Sequence, residues 1–234
     1  MGETQKYKPS DKMVDLISDN YTLLQVMSRF GLSLGFGEKT VKEVCEMNNV
    51  DCPTFLAVVN FVVEGFSRID DSKEELSVPA LVDYLHQSHI YFLDFCLPGI
   101  RRKLIYAIDC ADDGVSFLIL KFFDDYMNEV RKHMEYEEKT VFKYVDSLLN
   151  NTPLENYKIS TFSKHHDQIS EKLTELKNIL IKYCPPKANK SMLNTALFDI
   201  YTCEEGLDSH CNVEDYLLVP AILKLERRIL GNEK

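Results

Sequence analysis

Apolar residues recur at helical spacing along almost the whole chain. After Ser10, the residues Met13, Leu16, Ile17, Tyr21 and Leu24 keep this spacing, and after Thr40 so do Val41, Val44, Cys45 and Met47. Asp51 can cap a third run with Pro53 in its first turn, and Phe55, Val58, Val59, Val62, Val63 and Phe66 form its stripe. Between the first two runs lies Phe30-Gly31-Leu32-Ser33-Leu34-Gly35-Phe36-Gly37. Three glycines in one octapeptide predict a turn, or a loop that lets another group approach the backbone. The run Asp70-Asp71-Ser72-Lys73-Glu74-Glu75 reads as a charged linker, and Ser77 followed by Pro79 starts a new helix. Four long helical stretches follow, over 78–109, 115–149, 160–183 and 191–230. Their separators are Ala111-Asp112-Asp113-Gly114, Asn150-Asn151-Thr152-Pro153 and Pro185-Pro186-Lys187-Ala188-Asn189. No alternating run of β-branched residues is bounded by turns. The expected fold is all-α: a small helical N-terminal domain over residues 1–70, then an up-down-up-down four-helix bundle over 71–234.

Composition narrows the function classes. The 234 residues include only 9 Gly and 8 Pro, which favours long uninterrupted helices. A formal net charge of −10 repels phosphate backbones, so nucleic acid is not an expected partner. The best apolar stretch, Phe55 to Val63, is interrupted by Asn60 and is far shorter than the ~20 residues that span a bilayer. No membrane segment is expected. The opening MGETQKYKPSDK has no apolar signal region, and the expectation is a cytoplasmic protein. Seven cysteines, at 45, 52, 96, 110, 184, 203 and 211, form no C-x-x-C pair and read as reduced thiols, mostly small buried hydrophobes.

The histidines carry the chemistry. His133 and His210 each begin a His-x3-Glu pattern, with Glu137 and Glu214, which places imidazole and carboxylate one turn apart on one helix face. One such pair is weak evidence, since it is often a solvated surface pair. The other histidines strengthen it: His89 lies 44 residues before His133, and His166 lies 44 residues before His210. In an antiparallel hairpin, residues equidistant from the turn share a height. The two midpoints, 111 and 188, fall inside two of the predicted turns. Two hairpins would then bring four imidazoles and two carboxylates to one level of a bundle core. Burying six such groups without compensation is costly. Two divalent cations compensate them, with the two glutamates bridging and two histidines on each ion. Imidazole with carboxylate suits iron, manganese or zinc, whereas structural zinc prefers a closed four-ligand site. Iron is the expected metal, with manganese or a mixed centre as the alternative.

These residues resemble the hemerythrin HHE-type cation-binding domain, in the version found in iron–sulfur cluster repair di-iron proteins. The similarity covers nearly the whole chain. It runs through Ser88-His89 to Leu97-Pro98, His133-Met134 to Glu137-Glu138 and on to Val141-Phe142, His166-Asp167, and His210 to Glu214 with Val219-Pro220. The resemblance implies metal ligands His89, His133, His166 and His210 with bridging Glu137 and Glu214, and two iron ions (Fe2+/Fe3+) joined by an oxo or hydroxo bridge. Lys143 stands where the family usually has a proline, and only a local change in that helix is expected. Asp15-Leu16 through Asn20-Tyr21, Lys39-Thr40 and Val44-Cys45 resemble the family's small N-terminal domain. Its adjacent cysteines are replaced here by Leu34-Gly35-Phe36-Gly37, which removes any thiol chemistry at that position.

Alternatives remain at single positions. His86 is one turn from His89 and competes with it as ligand; the register against Leu97-Pro98 favours His89. His165 competes with His166, although neighbours point about 100° apart around a helix. Glu129 lies one turn before His133 and reads first as a solvated charge, second as a proton carrier beside the metal. Cys203 is on the inner face and reads as packing, as does Cys211. Tyr91, Tyr106, Phe122, Phe123, Phe142, Phe162 and Tyr201 read as core before cofactor box. The expected function is a hemerythrin-type di-iron protein that binds or reduces dioxygen or nitric oxide, or handles iron, under oxidative or nitrosative stress. The rival is a sensing module that binds the same gases without turnover and signals through the N-terminal domain. A homodimer through that domain is a further expectation, and a metal-free helical interaction protein is the blandest reading.

Overall fold

The computed structural model describes residues 7–64, 75–108, 114–152, 157–162, 167–185 and 187–230. The predicted 70–75 linker, apart from Glu75, the turn residues 111–113, Pro153 and Pro186 lie outside the described residues. Among the described residues there is no strand; the one β-type contact is an isolated antiparallel bridge between Lys12 and Thr40. The fold is all-α, with a helical N-terminal region ahead of the long helical stretches. By packing, the chain divides into two compact units: Met1–Ser88 with Asn212–Lys234, and His89–Cys211.

In the first unit the local signals in the sequence translate directly into elements. Helix α1 is Met13–Asp19, α2 Leu23–Arg29, α3 Val41–Met47 and α4 Cys52–Glu64. The apolar run from Met13 to Leu24 is therefore two helices. Asn20 leaves helical geometry (φ −145°, ψ 98°), its side chain accepts from the Thr22 N–H at 3.1 Å, and Tyr21 is exposed between them. Asparagine competes with the helix for its own backbone bonds, and periodicity alone does not register that. Thr40 and Glu43 close a reciprocal capping box at the start of α3, worth about 1 kcal/mol. Asp51 caps α4 by accepting from the Thr54 N–H at 2.9 Å. Gly31, Gly35 and Gly37 all take positive φ (70°, 94° and 64°), so a side chain at any of them would be strained. The inward faces supply Met13, Leu16, Val26, Met27, Val41, Val44, Phe55 and Val58, all buried. Met47, on the predicted stripe of α3, is exposed instead. Helix α5, Val78–Ile90, starts at Ser77, whose hydroxyl accepts from the Ala80 N–H at 3.3 Å.

The long stretches, most of whose residues lie in the second unit, behave differently. The stretch predicted as one helix over 78–109 runs as α5, a π-helical segment Tyr91–Cys96, and α6 Leu97–Ile108. The next is α7 Gly114–Tyr136, a π segment Glu137–Phe142, and α8 Lys143–Leu149. Helix α9 is Asp167–Tyr183. Helix α10, Lys190–Val213, continues through a third π segment, Glu214–Leu218, into α11 Val219–Leu230. One apolar core joins Phe92, Ile100 and Leu104 to Ile119, Phe123 and Val130, and on to Leu173, Leu176, Leu180, Ile200 and Leu207. Each set follows the three-to-four spacing of a helix face. Ion pairs tie the edges: Arg101 clamps Asp124 with two bonds (2.6 and 2.9 Å), Lys103 pairs with Asp199, and Lys177 with Glu204. These link α6 to α7, α6 to α10 and α9 to α10. The four segments of this unit thus pack around one core.

Candidate metal centre

Two of the π segments have a readable cause. Proline inside a helix lacks the N–H and its ring strikes the carbonyl four residues back. Pro98 and Pro220 each sit two residues beyond the end of a π segment, and the residue between makes a wide bond: Leu97 N–H to the Phe92 carbonyl, Val219 N–H to the Glu214 carbonyl. A wide turn relieves the proline clash without ending the helix. The middle segment has no proline after it, since Lys143 follows, yet it is π-helical too. Glu137 and Glu214 are the first residues of their π segments, and His89 lies two residues before the third. Such single turns concentrate at functional sites.

The donor atoms converge there. One ligand-type atom each from His89, Glu137, His210 and Glu214 lies within 4.8 Å of the others, and all four residues are buried. Three of them belong to the second unit, and Glu214 follows His210 by one turn on the same continuous helix. Glu137 is fully buried and occupies the centre. Its Oε2 is 2.9 Å from His89 Nε2 and 3.9 Å from His210 Nε2, while Oε1 is 2.7 Å from His133 Nε2. His133 is half-buried and stands outside the tight group of four, in contact with the other oxygen of the same carboxylate. His165 and His166 both lie outside the described residues. His86, the competitor of His89, is exposed.

The arrangement fits a metal ion chemically. Two donors about 2.1 Å from one ion at right angles are about 3 Å apart. The separations of 2.7 and 2.9 Å around Glu137 are of that size. Nitrogen and carboxylate oxygen are the donor types that iron, manganese and zinc accept. On the far side of His89, Nδ1 donates a hydrogen bond to Glu138 Oε1 at 2.7 Å. That bond fixes the ring and leaves Nε2, the nitrogen facing Glu137, as the metal-binding atom. The Phe142 ring stacks on His89 at 5.5 Å and 5°, and Phe92 meets His210 edge-on at 6.1 Å. Apolar rings thus wall two imidazoles from water.

Sequence reasoning did not assign Glu138 or Phe92 a role. The signal for Glu138 was the second carboxylate beside Glu137; for Phe92 it was its place one turn after His89. Of the aromatics expected in the core, Phe123 and Phe162 are buried and Phe142 stacks on His89, whereas Tyr106 and Tyr201 are exposed. Glu129 pairs with Lys172, and Cys203 is buried in the apolar core.

A family model described as the hemerythrin HHE cation-binding domain matches residues 80–222. The chain belongs to the hemerythrin HHE family. The matched range begins in α5, ends in α11 and contains all six histidines together with Glu137, Glu138 and Glu214. A search of curated proteins finds no match to the chain. Domains of this family bind cations, and the buried His/Glu cluster is where this member can hold one. No described helix is long and apolar enough to cross a membrane.

Proposed function

We propose that this hemerythrin-family protein holds two iron ions and uses them to bind or reduce dioxygen or nitric oxide, or to handle iron, in the cytoplasm under oxidative or nitrosative stress. The ligands in this reading are His89, His133, His166 and His210, with Glu137 and Glu214 bridging. Manganese is the alternative metal. The bundle over 71–234 carries the site, and residues 1–70 form the small domain that precedes it. What supports the reading is the fully buried Glu137 carboxylate, with imidazoles against both of its oxygens. A buried carboxylate shared in this way is stabilised when cations replace the solvent it has lost.

In mechanism, the metal pair, when bound, supplies redox capacity and an open position for a small diatomic ligand. The chain's own residues do the rest. Glu137 and Glu214 would hold the cations, while the Glu138 carboxylate keeps the His89 proton on Nδ1 and its Nε2 available. Phe92 and Phe142 exclude water from the imidazoles, which limits protonation of the ligands and strengthens their hold on positive charge.

The test is an optical titration of anaerobic, iron-loaded protein with nitric oxide or dioxygen. A change that saturates with the gas, and is lost in the Glu137→Gln/Glu214→Gln double variant together with the iron, supports the reading. A double variant that keeps two irons per chain overturns it. A second reading, gas sensing without turnover, is favoured by Leu34-Gly35-Phe36-Gly37, a loop without thiols in the N-terminal module. Under it, binding changes the protease sensitivity of that module and no reductant is consumed.

A further inference from the structure

Helix α2 ends in a tight turn that aims two consecutive residues at one side chain of α5. The Gly31 N–H donates to the Ser28 carbonyl at 3.0 Å and the Leu32 N–H to the Met27 carbonyl at 2.9 Å, with Gly31 at φ 70°. Arg29, the last residue of α2, donates from Nη1 to the Tyr84 hydroxyl at 3.2 Å, and its Cζ lies 5.7 Å from the centre of the same ring. The Phe30 ring centre is 4.9 Å from that of Tyr84 and 5.3 Å from that of Phe55. All of these residues belong to the first compact unit. Tyr84 is fully buried, and Arg29 is only 5% exposed. A guanidinium is costly to bury, and apolar side chains in place of a buried charged group are often at least as stable. Stability alone is therefore a poor account of Arg29.

The contact stands close to His89 on the same helix. One turn after Tyr84, the fully buried Ser88 donates its hydroxyl to the Tyr84 carbonyl at 3.0 Å, and His89 follows directly. Tyr84 and His89 are five residues apart within α5, about 7.5 Å along the axis. So short a length of helix is rigid, and a shift of Tyr84 carries His89 with it.

We propose that Arg29 and Tyr84 are positioning residues for His89: together they latch α2 to α5 and hold the imidazole where it meets the metal. The inference rests on the reading of His89 as a ligand. The N-terminal module then supports the metal centre through α5, and Gly31 sets the turn that aims Arg29 and Phe30. Coupling of this kind is reciprocal, so metal held by His89 also strengthens the latch.

The test uses the full-length protein with Co2+, whose visible bands report ligand geometry, and a competing chelator to read affinity. Arg29→Met removes the charge at similar length, and Tyr84→Phe removes a single oxygen. Each should weaken Co2+ binding about 2- to 30-fold and alter the cobalt spectrum. The double variant should lose no more than the weaker-binding single variant, because both changes break one interaction. Val44→Ala, at a buried position of α3, is the control. It should lower unfolding stability while affinity and spectrum stay as in wild type. Where circular dichroism shows that Arg29→Met has not folded, Tyr84→Phe decides. Single variants with wild-type affinity and spectrum, losses that add in the double variant, or a Val44→Ala protein that reproduces the loss overturn this inference alone. A wild-type protein that binds no Co2+ overturns the metal reading together with it.

Discussion

The N-terminal module and the ligand-bearing stretches of the bundle follow opposite rules. In the module, each helix is short, and α3 and α4 begin at a side-chain cap; the buried faces are almost wholly apolar. In the bundle, helices run through their ligand positions without caps, change to π geometry, and bury His89, Glu137, His210 and Glu214. Local propensity explains the first region. In the second, the helix departs from regular geometry where ionisable groups must face inward, which is where conflict between local rule and global structure is expected.

The largest effect is expected from Glu137→Ala in the bundle. It removes the carboxylate that both His89 and His133 contact. Complete loss of bound iron by elemental analysis, with helical circular dichroism retained, is the expected result. In the module the matching change is Phe55→Ala, which empties a fully buried site whose ring meets Phe30 edge-on at 5.3 Å. It should cost about 3–5 kcal/mol in denaturant unfolding.

Proline scanning separates regular helix from π segment. Lys121→Pro, inside α7, should cost about 3 kcal/mol or more. Lys143→Pro, directly after the middle π segment, should cost about 1 kcal/mol, the value of one lost backbone bond. Equal costs by thermal melting would mean that the π segment does not accommodate the ring.

Smaller effects follow at single hydrogen bonds. Glu138→Gln keeps the shape but weakens the hold on His89 Nδ1, and should lower metal affinity about 10- to 100-fold in a chelator competition. Thr40→Ala should cost about 1 kcal/mol by loss of the N-cap. The same box holds the Glu43 carboxyl below its usual range, through the Thr40 N–H first and its hydroxyl second. Its contribution is therefore present at neutral pH and is lost as the pH falls through that depressed value. In a pH series of melts, the gap between wild type and Thr40→Ala should narrow at the acid end without closing, because the hydroxyl still accepts from the Glu43 N–H when the carboxyl is protonated.

Much of this was legible from residue order. The apolar stripes marked nearly every helix, and Asp51, Ser77 and Thr40 marked starts, because caps and 3.6-residue periodicity are local properties. The paired 44-residue spacings directed attention to the histidines before any geometry, and the structure sets His89, Glu137, His210 and Glu214 together. The π segments were not read. A periodicity template absorbs one extra residue per turn as scatter, and only Pro98 and Pro220, standing inside apparent helices, could have exposed two of them. The middle one has no such mark. Glu138 was invisible for a related reason: on a regular helix it points about 100° from Glu137, and its contact with His89 depends on tertiary placement. Asn20 broke one predicted helix into two through a side-chain bond that the apolar pattern does not encode.

The buried His/Glu cluster is proposed to hold a pair of irons. Metal content per chain, measured on anaerobically purified protein with the optical spectrum recorded before and after air, tests it most directly. The account predicts two irons per chain and a spectral change on oxidation. A folded, helical protein that binds no metal after iron is offered would contradict it.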